Sequence, residues 1–212
     1  MNGVTFGEYH SYNDLSLYLN SKSISAPTVK TSTVEIEGGD GVLDLTEYFG
    51  RVNYDNRTLS FEFTYIGEPS EFMTVFSALQ NKLHGKKMRI TLDDDPDYYY
   101  KGRVTLSAWK ADKTTGTITV DADAEPYKYK QNKTSVTDSV TDSADITLTN
   151  DVRSAVPLIT TTADFTIVYN GTTTVTTAGT FTIPTLELKE GNNVVSVTGT
   201  GDITFEWQEG RL

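Results

Sequence analysis

The sequence has no cysteine. Disulfides and thiolate metal sites are therefore excluded. Histidine is nearly absent as well. His10 and His84 have no second His or Glu at a zinc-binding spacing, and no H-E-x-x-H occurs. No run of eighteen apolar residues is present, so no membrane span is expected. The opening "MNGVTFGEYHSYNDLSLYLN" lacks the basic and apolar regions of a signal peptide, which makes folding in the cytoplasm the expectation. Positive charge is scarce: 18 Lys and Arg stand against 29 Asp and Glu, for a net charge of −11. Residues 1–130 carry a net −5 and residues 131–212 a net −6. With no basic stripe in the sequence, specific nucleic-acid binding is not expected, although an acidic wall would let DNA slide past. G-x-S-x-G, Walker and G-x-G-x-x-G motifs are missing too, and with them the usual nucleophile and phosphate signatures.

What is present points to β structure. The 212 residues suffice for one large β domain or two small ones. Composition changes near residue 131, after which threonine supplies 20 of the last 82 residues. The expected division is a first domain over 1–132, a linker over 133–145 and a second domain over 146–212. The linker expectation rests on "TSVTDSVTDSAD", a polar run of small residues. Beyond it, "DITLTN", "VPLITTT", "DFTIVYNG", "TTTVTT", "GTFTIPTLEL", "NNVVSVTG" and "GDITFEWQE" read as short strands separated by glycine turns, the pattern of a small sandwich.

The first domain is mixed. In "TLSFEFTYIG", Leu59, Phe61, Phe63 and Tyr65 alternate toward one face. "KKMRITLDD", "YYYKGRVTLSAWKAD" and "GTITVDADAEPY" are further strands. "EPSEFMTVFSALQNKLHGK" breaks the pattern: Phe72, Val75, Phe76, Leu79 and Leu83 form a helical stripe. Ser70 stands where an N-cap belongs, and Gly85 where a left-handed C-cap belongs. His84, at the helix end, suits the helix dipole as a cation. The predicted fold class is mainly β: an antiparallel sheet with one helix, followed by a β-sandwich.

The densest chemistry lies in "LDDDPDYYYKGRV". Asp93, Asp94 and Asp95 are consecutive and interrupted by Pro96, which does not match the spacing of a calcium loop. Neighbouring carboxylates in a strand point to opposite faces. A polar turn is the expectation, with no metal, no cofactor and no catalytic residue. Tyr98 and Tyr100 share one face and Tyr99 takes the other, which suits a core or an interface. "EGGDGVLDL", with Gly38, Gly39 and Gly41, reads as a hairpin tip rather than a phosphate cradle.

The order of motifs resembles the distal tail protein family of long, non-contractile phage tails, also found in prophages of Gram-positive bacteria. The carrying residues begin in "HSYNDLSLYL" and continue through "APTVKTSTVEIEGGDGVLDLTEYFG", with Pro27, Lys30, Gly38, Asp40, Gly41, Leu43, Asp44 and Leu45. "VNYDNRTLSFEF" adds Tyr54, Asn56 and Arg57, and "LHGK" adds His84 and Gly85. "RITLDDDPDYYYKGRV" adds Asp95, Tyr98, Tyr100, Gly102 and Arg103, and "AEPYKYK" closes the set. Ser16 stands where the family usually has a glycine.

The resemblance implies a homo-hexameric ring at the tail tip of the virion, assembled in the host cytoplasm. The ring would join the tail tube protein to a tail-associated lysin or baseplate proteins, with DNA passing through its centre. It also implies a galectin-like second domain, which in some relatives docks receptor-binding proteins. An extended arm would embrace a neighbour. Its candidate residues are Val34, Ile36, Gly38, Gly39, Gly41, Val42, Leu43 and Leu45, since an apolar strand pair of this kind is a liability unless completed by a partner. The alternative is a carbohydrate-binding module for cell-wall adhesion, with Trp207 as an exposed aromatic.

Overall fold

The computed structural model describes residues 3–48, 50–112 and 114–212. It is mainly β and falls into two compact units, one ending at Lys128 and one running Tyr129–Arg211. The division lies a few residues ahead of the expected domain end at 132.

In the first unit the elements are β1 (Val4–Phe6), β2 (Tyr9–His10), β3 (Leu17–Ile24), β4 (Thr33–Glu35), β5 (Val42–Asp44), β6 (Arg57–Ile66), α1 (Phe72–Leu83), β7 (Lys87–Leu92), β8 (Asp95–Ala111) and β9 (Thr115–Ala124). The main sheet is antiparallel in the order β2-β1-β7-β8-β9-β6-β3. The period-2 alternation of β6 is realised: Leu59, Phe61 and Phe63 are fully buried, and Tyr65 packs at their margin. Phe6 meets Phe61 edge-on, with ring centroids 5.6 Å apart.

Helix α1 buries Phe72, Leu79 and Leu83. Full burial of a side chain of this size is worth about 1.5–3 kcal/mol. Phe76 and Phe72 pack on Trp109 of β8, at 5.1 and 5.7 Å between ring centroids. The start of the helix differs from expectation. Glu71 is the N-cap and makes no side-chain cap bond, while Ser70 lies inside the turn closed by Glu71 N–H donating to the Glu68 carbonyl at 2.9 Å. The end agrees. Gly85 has φ +76° and its N–H reaches the Val104 carbonyl at 2.8 Å, so the helix stops where the chain turns into β7.

Ser16 sits at φ +56°, in the left-handed region where a Cβ is unfavourable. A glycine at this position would adopt that conformation without strain. Ser16→Gly is expected to raise stability by about 0.5–1 kcal/mol, the relief of the strain less the added entropy of glycine in the unfolded chain. Chemical denaturation at unchanged m-value measures it, and a loss of stability would contradict it.

Across the division lies β10 (Lys128–Lys130). The second unit continues with β11 (Thr134–Val140), β12 (Ser143–Asn150), β13 (Leu158–Thr161), β14 (Phe165–Tyr169), β15 (Thr172–Thr176), β16 (Gly179–Thr182), β17 (Gly191–Thr198), β18 (Gly201–Trp207) and β19 (Gly210–Arg211). Two four-stranded sheets, β11-β18-β13-β16 and β12-β17-β14-β15, enclose a core that includes Leu148, Ile159, Phe165, Val195, Phe205 and Trp207. The β14–β15 hairpin turns on Asn170–Gly171, both at positive φ, as "NG" between strands predicts.

The expected linker over 133–145 is a correction. Residues 134–140 are β11, paired in register with β18 from Thr134↔Trp207 to Val140↔Gly201, and 143 begins β12. The run reads as a loop because it forms edge strands whose outward side chains are hydroxyls and carboxylates. Those groups bond across the sheets: Thr137 to Thr204 at 2.9 Å, Ser139 to Asp202 at 2.6 Å and Ser196 to Asp145 at 2.6 Å.

Candidate assembly interface

The aspartate run is a turn, and its carboxylates diverge. Asp93 and Asp94 form the two-residue connection between β7 and β8, with Leu92 paired to Asp95. Asp93 accepts the Gly3 backbone N–H at 2.7 Å and lies 3.2 Å from His10 Nε2. Asp94 pairs with Lys22 of β3, and Asp95 with Lys128 at 2.6 Å. The turn thus ties three distant segments to one hairpin end. Among the described residues no three His, Asp or Glu side chains converge as a metal would require.

The hydrogen bond from Lys22 holds the Asp94 carboxyl below its ordinary value of 3.8, opposed by slight burial. The contribution of this pair is complete above that ordinary value and is lost as pH falls through the lowered one. Asp94→Asn is expected to lower stability at neutral pH by less than about 1 kcal/mol, since the pair is exposed. The difference from the parent should vanish in strong acid. Denaturation midpoints across the acid range check it; a difference persisting below pH 2 would contradict it.

The three tyrosines are sheathed by cations. Lys128 lies 4.8 Å from the Tyr98 ring, Arg89 4.4 Å from Tyr99 and Arg57 5.7 Å from Tyr100. Tyr99 and Tyr100 are buried. Asp95, Tyr98 and Lys128 therefore meet, as do Arg57 and Tyr100. Arg57 is itself buried, and its Nε has no hydrogen-bond partner among the described residues. Gly102 faces Ala124 of β9, where an added Cβ would lie 3.0 Å from the Ala124 Cα, so a larger residue would push these strands apart. Arg103 Nη1 donates to the Gly85 carbonyl at 2.6 Å. His84 differs from the expected dipole partner: its Nδ1 accepts the Leu106 N–H at 3.1 Å, beside a register shift in β8. Tyr54 stands apart from this group, bridging Val29 and meeting Tyr127 edge-on at 6.0 Å.

The proposed arm residues form a separate two-stranded ribbon. β4 and β5 pair as Thr33↔Asp44, Val34↔Leu43 and Glu35↔Val42, and join no other sheet. The ribbon is rooted by Lys30 N–H to the Asn53 carbonyl and Asp55 N–H to the Thr28 carbonyl, both at 2.8 Å. Its tip is the glycine turn, with Gly38 and Gly41 at φ +77° and +76° and Gly39 N–H closing on the Ile36 carbonyl at 3.0 Å. Val34 and Leu43, directly opposite and so on one face, are each 49 % exposed; Ile36 and Val42 are 54 % and 55 % exposed. Leu45 is half-buried at the foot, beside a groove of about 340 Å³ also lined by Lys30, Ser32, Tyr48 and Asn53. A lone two-stranded hairpin is marginal in water. This one exposes apolar side chains and both backbone edges.

Trp207 is not an exposed sugar platform. It is 2 % exposed, and Phe165, Tyr169 and Phe205 are buried with it because a sandwich this small needs every aromatic for its core. The register of β7 and β8 brings out what the sequence concealed. Lys87 lies opposite Arg103 and Arg89 opposite Lys101, all exposed, which makes a basic stripe where none was expected. Basic residues at alternate positions on both strands were the available signal.

No family model matches the sequence, and no curated protein matches it. Among solved structures it is similar to the Dit (gp 19.1) protein of SPP1, described as a paradigm of the hub adsorption apparatus in phages that infect Gram-positive bacteria. The TM-score is 0.71 over 100 % of both chains, at 16 % identity. The chain has the fold of a phage distal tail protein.

Proposed function

We propose that this protein is a structural component of a phage tail tip. Six copies close head to tail into a ring that joins the tail tube to baseplate proteins or a tail-associated lysin and leaves a channel for DNA. The role is architectural rather than enzymatic. The observation that carries the reading is the β4–β5 ribbon: an apolar, edge-exposing hairpin that its own chain leaves uncovered, in a fold shared end to end with a phage hub protein. A neighbour that covers the ribbon offers its own ribbon onward, and such heterologous contacts close into rings when the rotation permits. The net charge of −11 suits a channel that must not hold DNA.

Light scattering with negative-stain imaging tests it. The intact chain is expected at six times its own mass, or as six copies within a larger complex once adjoining tail proteins are added. Replacing residues 33–44 with a short Gly-Ser turn should reduce it to a single chain. An unchanged mass after that replacement would overturn the reading.

A further inference from the structure

The ribbon is acidic on one face. Thr33 to Leu45 carries Glu35, Glu37, Asp40 and Asp44, with no Lys or Arg. The pairings Thr33↔Asp44 and Glu35↔Val42 place Glu35 and Asp44 on one face, opposite the Val34–Leu43 face. Hydrogen bonds from the side chain and backbone of Thr46 hold the Asp44 carboxyl below its ordinary range, so it stays charged.

The basic stripe on β7–β8 is its counterpart. Like charges directly opposite one another in an antiparallel pair are destabilising. Two such pairs stand side by side here, Lys87↔Arg103 and Arg89↔Lys101, in a protein with carboxylates to spare. Compensation within the chain is partial. Glu125 takes Lys87 at 2.7 Å and reaches Lys101 at 3.9 Å, and Asp123 lies across from Arg103. Arg89, stacked on Tyr99, has no carboxylate partner among the described residues.

We propose that the β7–β8 face receives the β4–β5 ribbon of a second copy of this chain, with Glu35 and Asp44 of the ribbon against Arg89 and Lys101. This rests on the ring reading and adds the docking face to it. Ribbon and stripe are different surfaces of one unit, so the contact is head to tail. Its charge makes association salt-dependent and suppresses wrong registers.

Zero-length crosslinking tests it. Equal amounts of ¹⁴N- and ¹⁵N-labelled full-length chain are mixed and treated with a carbodiimide, and mixed-isotope peptide pairs are identified. Glu35 or Asp44 joined to Lys101 or Lys87 is the expected result. Ribbon carboxylates joined to other lysines of the second copy would overturn the face and leave the ring reading standing. No mixed-isotope pair from the ribbon would overturn both. Charge exchange gives the second readout. Arg89→Glu with Lys101→Glu should weaken association about tenfold or more, and so should Glu35→Lys with Asp44→Lys. The chain carrying all four should recover. Either pair without effect, or a fourfold variant that stays weak, would overturn the proposal.

Discussion

Asn193→Leu is expected to destabilise the second unit by about 2–5 kcal/mol, because several buried polar groups depend on this one side chain. Asn193 is 6 % exposed. Its Oδ1 accepts from the Tyr169 hydroxyl at 2.8 Å and the Lys189 N–H at 2.9 Å. Its Nδ2 donates to the Leu148, Lys189 and Gly191 carbonyls at 3.2, 2.8 and 3.0 Å. Leucine fills a similar volume and satisfies none of them. Tyr169→Phe removes a single hydroxyl proton, within reach of Asn193 Oδ1 at 2.8 Å and the Glu187 carbonyl at 3.0 Å, and leaves Oδ1 its Lys189 N–H, so it should cost only about 1 kcal/mol. The neighbouring Asn192 is exposed and bonds Thr149, so Asn192→Ala should stay within about 1 kcal/mol. Chemical denaturation at unchanged m-value checks all three. A loss below 1 kcal/mol at Asn193 would mean that water or relaxed backbone replaces the network.

The contrast between Asn192 and Asn193 also marks where sequence reasoning stops. "GNNVVSV" identifies a turn and a strand, and strand parity puts Asn193 inside with Val195 and Val197. Nothing local says which carbonyls it meets, because Leu148 comes from another strand 45 positions away. Legibility followed locality throughout. The alternation of β6, the stripe of α1, the Asn170–Gly171 turn and the left-handed Gly85 depend on a few neighbouring residues, and each was readable. β11 was not, because an edge strand buries little: Val136 and Val140 are its apolar contribution to the core, and the rest of its pairing is hydroxyl chemistry with β18. Trp207 was misjudged for a related reason. An aromatic at the end of a strand looks exposed until the opposing sheet is in place.

The same limit divided the candidate site. The ribbon was readable as an unfinished hairpin, since its glycines and alternating apolar residues are contiguous. The stripe that faces solvent on β7–β8 was not, since Arg89 and Lys101 meet only through a twelve-residue register that the Asp93–Asp94 turn sets. The aspartates that suggested chemistry instead fix geometry. By tying β7–β8 to Gly3, Lys22 and Lys128, they hold the hairpin whose outer face carries the stripe.

Serine at both Val34 and Leu43 is expected to leave the single chain intact and to disable its assembly. The two side chains are directly opposite and each about half exposed, so in the lone chain their loss removes little buried area. Exposed substitutions of this kind usually lie within about 0.5 kcal/mol. In the proposed ring their remaining surface would be covered. Burying the exposed halves of a valine and a leucine contributes roughly 2–3 kcal/mol per arm, or about 30- to 150-fold in the association constant. The effect multiplies around a closed ring, because every contact carries the same lesion. Hydrophobic burial is weakly sensitive to salt, whereas the Glu35 and Asp44 contacts are screened. Val34→Ser with Leu43→Ser should therefore stay dissociated at low and high ionic strength, while the charge variants differ from the parent chiefly at low salt. Sedimentation across a salt series separates the two. A serine variant that assembles like the parent would show that the apolar face of the ribbon remains in water even in the assembled state, and the reason for a two-faced ribbon would have to be sought elsewhere.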